Sequence, residues 1–123
     1  MSSTRLIMVV DDDPQIRDAL KDALEDEAYS VVLATNGEEA LRKLRNGCHP
    51  DAILLDHMMP IMDGATFVTE AHAEPALREL PIILVTADGR ATDKANELGL
   101  KASLHKPLKI GELLATIENA IAH

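Results

Sequence analysis

The chain has one cysteine, Cys48, which excludes an internal disulfide and any multi-cysteine metal centre. That usage predicts the cytosol as its compartment. Tryptophan is absent, and Tyr29 and Phe67 are the only other aromatic residues. The core must therefore be aliphatic and methionine-rich, with few rings to stack on a base or a flavin. No apolar run approaches the length of a membrane span. The opening MSSTRLIMVVDDD offers one arginine and a short apolar run before three acids, a poor signal peptide. Positive charge is also scarce: 12 basic residues stand against 21 acidic ones, a net charge of −9. This argues against direct binding to nucleic acid or to an anionic membrane, and leaves cations and proteins with basic patches as partners. Internal repeats, low-complexity tracts and linker-like stretches are missing too.

What is present is one domain's length, 123 residues, with two alternating periodicities. Short, continuously apolar runs occur at Leu6–Val10, Val31–Ala34, Ala52–Leu55 and Ile82–Val85, with a weaker one at Ala102–His105. Runs of four or five residues, apolar and rich in branched side chains, suit strands buried on both faces. Helical patterns lie between them. Asp13-Pro14 is a cap followed by an N1 proline, and Ile16, Ala19, Leu20, Ala23 and Leu24 form one stripe. Asn36 with Glu39 resembles a capping box, and Gly47 is placed to end that helix. A third helix runs from Gly64 to about His72, a fourth from Thr92 to Leu98 before Gly99. A fifth carries Ile110, Leu113, Leu114, Ile117 and Ile121. Five β-α units predict an α/β fold: a flavodoxin-like, doubly wound parallel sheet of five strands, order 2-1-3-4-5, with helices on both faces.

Such sheets bind ligands at the carboxyl ends of their strands. Strand 1 is followed by Asp11-Asp12-Asp13, strand 3 by Asp56, strand 4 by Thr86 and strand 5 by Lys106. Strands 1 and 3 are neighbours in this order, so Asp11, Asp12 and Asp56 converge. Clustered carboxylates repel one another unless a cation or a lysine offsets them. Oxygen ligands select a hard cation, Mg²⁺ or Mn²⁺. Each residue alone has a bland reading: Asp13 as a helix cap, Asp12 as a loop acid, Thr86 in a turn, Lys106 as a solvated charge. Those readings leave the convergence on one sheet edge unexplained.

The ordered set VVDDDP, LLDHMMPIMDG, VTAD and HKP resembles the receiver domain of two-component response regulators, typified by the chemotaxis regulator. Any one motif is weak. Together they are specific, at 45 residues from Asp11 to Asp56, 30 from Asp56 to Thr86 and 20 from Thr86 to Lys106. The resemblance spans the chain and implies one receiver domain over residues 1–123, without an output domain. It implies Asp56 as phosphoacceptor from a phosphohistidine of a sensor kinase or phosphotransfer protein. It also implies Asp12 as direct Mg²⁺ ligand, Asp11 acting through water, and the Met58 carbonyl completing the coordination. Thr86 and Lys106 would contact the phosphoryl group, and the Lys106–Pro107 bond would be cis. Acyl phosphate chemistry suits a signal that must be erased.

The chain departs from the pattern at Ser103, where many relatives carry Tyr or Phe. The expectation is that His105 or Leu104 takes over part of the switching that the aromatic performs. Met58 and Asp88, two residues after Asp56 and Thr86, would flank the path of the hydrolytic water. His57 is expected to point away from Asp56, and Met59 and Met62 to pack rather than ligate. His49, His72 and His123 read as surface residues, and Cys48 as an incidental thiol. Three rival functions use the same residues. Asp11 and Asp13 give the D-x-D of an aspartate-dependent phosphatase of the haloacid dehalogenase type, but Asp13-Pro14 opens a helix. A phosphorylation-independent interaction module would not need the full set of acids and lysine. A flavin carrier would need a phosphate loop where DDDP repels phosphate.

Overall fold

The computed structural model describes residues 4–122, so His123 lies outside the described residues. Five β-α units alternate: β1 (Leu6–Val10), α1 (Pro14–Asp26), β2 (Ser30–Ala34), α2 (Gly37–Arg45), β3 (Ala52–Asp56), α3 (Gly64–Ala73), β4 (Ile82–Thr86), α4 (Ala91–Glu97), β5 (Ala102–His105) and α5 (Ile110–Ile121). The strands form one parallel sheet in the order β2-β1-β3-β4-β5, as the sequence predicts. Every residue of β3 and β4 is buried, which is why both read as unbroken apolar runs.

Alternation along the strands splits the core into two layers. Met8, Val10, Ile53, Leu55 and Leu84 face Leu41, Leu44, Phe67 and Ala95, from α2, α3 and α4. Ile7, Val9, Leu54, Ile83, Val85 and Leu104 face Leu20, Leu24, Leu113 and Ile117, from α1 and α5. Phe67 is the largest fully buried side chain, so aliphatic packing carries the rest.

Local chemistry sets the element ends. The Asp13 carboxylate accepts from the Gln15 amide at 2.9 Å, with Pro14 at the first helical position. Asn36 accepts from the Glu39 amide at 2.9 Å, and Glu39 accepts in return from the Thr35 amide at 3.0 Å. Gly47 and Gly99 take φ of +100° and +75° just beyond α2 and α4, a conformation that glycine adopts without strain. Boundaries shift slightly from expectation. β2 gains Ser30, which pairs with Leu6, while β3 and β4 gain Asp56 and Thr86. α4 begins at Ala91 and ends at Glu97, one residue earlier at each end than the pattern suggests. Its Arg90 cap supplies no side-chain hydrogen bond, so no polar residue marked the start.

Candidate functional site

The carboxyl ends of β1, β3, β4 and β5 bring Asp11, Asp12, Asp56, Thr86 and Lys106 to one cleft of about 640 Å³. Met58, Asp88 and Lys94 also border it. Carboxylate oxygens of Asp11, Asp12 and Asp56 lie within 4.8 Å of one another. The convergence expected from strand order is thus realised.

Asp11 is tied down on every side. Its amide donates to the Ala34 carbonyl at 3.1 Å, and its own carbonyl accepts from Arg17 Nη1 at 2.7 Å. Its Oδ1 accepts from the Asp13 amide at 2.9 Å and its Oδ2 from Lys106 Nζ at 3.2 Å. Asp11 is only 3% exposed, so these bonds satisfy a buried group. Asp12 differs: it is exposed, and among the described residues its side chain makes no hydrogen bond to protein. One aspartate is a fixed wall; its neighbour has free lone pairs.

Asp56 ends β3, 7% exposed, and its Oδ1 accepts from Lys106 Nζ at 3.3 Å. Burial, reinforced by the charge on Asp11, pushes its carboxyl up to about 6, although Lys106 pulls the other way. Burial alone would lower the Lys106 ammonium; Asp11 and Asp56 outweigh it and hold the group above the ordinary lysine range. Lys106 and Lys94 against Asp11, Asp12, Asp13, Asp56 and Asp88 leave the cleft with an excess of negative charge, which a divalent cation would offset. Three carboxylates with oxygens within 4.8 Å of one another are the hard oxygen donors that Mg²⁺ takes. The residues fit the ion.

Thr86 is buried, and its hydroxyl oxygen accepts from the Asp88 amide at 3.0 Å. The Lys106 amide donates to the Thr86 carbonyl at 2.9 Å, locking β5 to β4 beside the cleft. The Lys106–Pro107 bond is cis, as the resemblance implies. Beyond Asp56, α3 starts at Gly64 directly against the Asp56–His57 backbone. A Cβ there would lie 2.8 Å from the Asp56 carbonyl oxygen and 3.0 Å from the His57 Cα.

Met59 and Met62 pack against the α2–α3 core layer, as expected. His57 borders the cleft, but among the described residues no hydrogen bond joins its imidazole to Asp56. The Asp63 carboxyl is held below the usual range, chiefly by the hydrogen bond from the Thr66 amide. Leu104 is buried in the layer of α1 and α5, whereas His105 is exposed and pairs in register with Thr86. Sequence reasoning missed Arg17 and Lys94. Neither lies in a motif; only the return of α1 and α4 to the sheet edge brings them in.

Residues 7–118 match the response regulator receiver domain family, and the chain belongs to that family. It is 35% identical over 118 residues to the probable transcriptional regulator ycf29 of Pyropia yezoensis, covering 94% of this chain and 53% of that protein. The chain spans about half the length of this relative. Among solved structures, a putative response regulator from Chloroflexus aurantiacus superposes with a TM-score of 0.91 at 32% identity, covering 98% of this chain and all of that one. The receiver domain of the sensor histidine kinase PA1611 from Pseudomonas aeruginosa superposes at 0.89 with 29% identity, covering 98% of this chain and 100% of that one. It holds a magnesium ion coordinated in the active site cleft. The two-component class inferred from the spaced motifs is therefore the class of this chain.

Proposed function

We propose that the chain is a phosphorylation-dependent signalling switch in a two-component phosphorelay, with Asp56 as acceptor. The observation that carries this is the pairing of Lys106 with Asp56 and Asp11 inside a cluster of three carboxylates. Above pH about 6 Asp56 is ionised and nucleophilic. Its oxygen attacks the phosphorus of a phosphohistidine. A P–O bond forms, the P–N bond breaks, and the histidine nitrogen keeps the electron pair and takes a proton. The product is an acyl phosphate. Lys106 Nζ then transfers its contacts from the carboxylate to a phosphoryl oxygen. The Thr86 oxygen already accepts from Asp88, which leaves its own proton free to donate to another phosphoryl oxygen.

Asp12, Asp56 and the Met58 carbonyl would hold Mg²⁺, or Mn²⁺, directly, with Asp11 acting through water. Both Asp11 oxygens are already hydrogen-bonded, whereas Asp12 has none committed. The bound cation supplies positive charge to the phosphoryl oxygens.

The donor is a histidine kinase or a histidine phosphotransfer protein. An apolar groove of about 630 Å³ between α1 and α5, lined by Ala19, Leu108 and Ile110, opens into the cleft through Ile16, Ala87 and Lys106. A donor helix seated there would present its histidine to Asp56. The signal then passes to a downstream protein, in the cytoplasm, without contact to nucleic acid or membrane. Among the described residues no helix is long and apolar enough to cross a membrane.

Intact-protein mass after incubation with acetyl phosphate and Mg²⁺ tests the reading. Wild type gains one phosphoryl group; Asp56→Asn and an EDTA-treated sample gain none. A folded wild type that stays unlabelled by acetyl phosphate and by phosphohistidine donors would mark an interaction module that does not use phosphate. Catalytic turnover of phosphate esters would favour the phosphatase.

A further inference from the structure

Four methionines lie within the described residues, and their surroundings separate them. Met8 is wholly buried in β1, and Met59 and Met62 are half-buried against the core. Met58 is 69% exposed, and it is the one that borders the acidic cleft, two residues beyond Asp56. Exposure governs how readily a thioether meets an oxidant in solution, and sulfoxide formation turns a flexible apolar side chain into a polar one. The most exposed methionine among the described residues therefore stands at the mouth of the site.

We propose that Met58 is a redox-modification site, at which a hydroperoxide forms the sulfoxide and so shortens the lifetime of the phosphorylated state. This rests on Asp56 being the phosphoacceptor. In the modification a sulfur lone pair attacks the terminal peroxide oxygen. An S–O bond forms and the O–O bond breaks. Sulfur loses two electrons, and the departing hydroxide or alkoxide takes a proton and leaves as water or alcohol. The consequence follows from the cleft's polarity. Loss of the phosphoryl group requires a water to reach phosphorus from the open side. As a thioether, Met58 gives that water only a weak hydrogen-bond acceptor, beside the acids Asp12 and Asp88 at the same mouth. A sulfoxide oxygen is a strong acceptor, so it holds water beside the phosphoryl group. The modification is reversible by methionine sulfoxide reductases.

The test treats the full chain with hydrogen peroxide and maps oxidation by peptide mass. The protein is then labelled with acetyl phosphate and Mg²⁺, and decay of the phosphorylated form is followed by intact mass. Met58 is expected to oxidise ahead of Met8, Met59 and Met62, with decay accelerated by about threefold or more. Decay in Met58→Leu, which has no sulfur at that position, does not respond to peroxide. Met58→Gln, with a neutral acceptor in place of the thioether, decays faster than wild type without peroxide. The proposal is overturned if Met59 or Met62 oxidises as fast as Met58, or if complete sulfoxide formation at Met58 leaves decay unchanged. A response of Met58→Leu to peroxide equal to that of wild type also overturns it. Untreated protein that gains no phosphoryl group from acetyl phosphate or from a phosphohistidine donor overturns both this proposal and the acceptor reading; untreated protein that labels normally, with decay indifferent to Met58 oxidation, overturns the redox proposal alone.

Discussion

Asp56 is an acid whose burial opposes its own charge. Its carboxyl ionises near pH 6 in the fold, against about 3.9 in an unfolded chain. Below pH about 3 both states are protonated and the group contributes nothing. Between about 3 and 6 the unfolded chain loses its proton first, so the fold loses stability as pH rises; above about 6 the full cost is present. Asp56→Asn, measured by denaturant unfolding without divalent cations, is therefore expected to be more stable than wild type by about 1–2 kcal/mol at pH 7.5, after allowance for solvent in the cleft, and to lose that advantage as the pH falls to about 3. Lys106 acts in the other direction. Lys106→Met leaves the carboxylates without an internal cation, so metal-free protein should lose about 1–3 kcal/mol. Calorimetric titration should show it binding Mg²⁺ more tightly than wild type, because the competing ammonium is gone. At this scale the acids, Thr86 and Lys106 were legible, since their residue types are rare at the ends of apolar strands. Arg17 was not, because an arginine on α1 gives no sign that it bonds the Asp11 carbonyl.

At the scale of elements, apolar runs placed the strands and side-chain caps placed the starts of α1 and α2, while the Asp63 cap of α3 emerged from the structure. α4 was the exception, because its start lacks a capping side chain and its buried residues are only Ala91 and Ala95. Contacts between elements were not legible. A Cβ at Gly37 would lie 2.9 Å from the Met62 Cγ, so α2 abuts the β3–α3 loop, yet the two segments are far apart in sequence. Gly64 shows the same contact at Asp56 itself. Gly64→Ala must displace either α3 or the Asp56–His57 backbone. It should destabilise the protein by about 1–3 kcal/mol and slow labelling by acetyl phosphate. Thermal unfolding and the labelling rate check the two effects separately.

At the scale of the whole molecule, a parallel sheet with an acidic carboxyl edge turns a net charge of −9 into a local field where cations collect. The doubly wound order was legible because five β-α units with short connections admit few topologies. The groove between α1 and α5 was not, because its walls come from segments at opposite ends of the chain. Ile110, half exposed on that wall, gives it a test. Ile110→Glu should slow transfer from a phosphohistidine protein by about tenfold or more, and slow transfer from acetyl phosphate much less, since a small donor needs no groove. Stopped-flow comparison of the two donors measures the ratio. The site of labelling is the most direct test of all. Borohydride reduces an acyl phosphate to an alcohol, so reduction of the labelled protein followed by peptide mapping converts the acceptor aspartate to homoserine. Homoserine at position 56 alone is the predicted result. Homoserine at Asp11 or Asp12, or a phosphoryl group retained on another residue after reduction, would contradict the account.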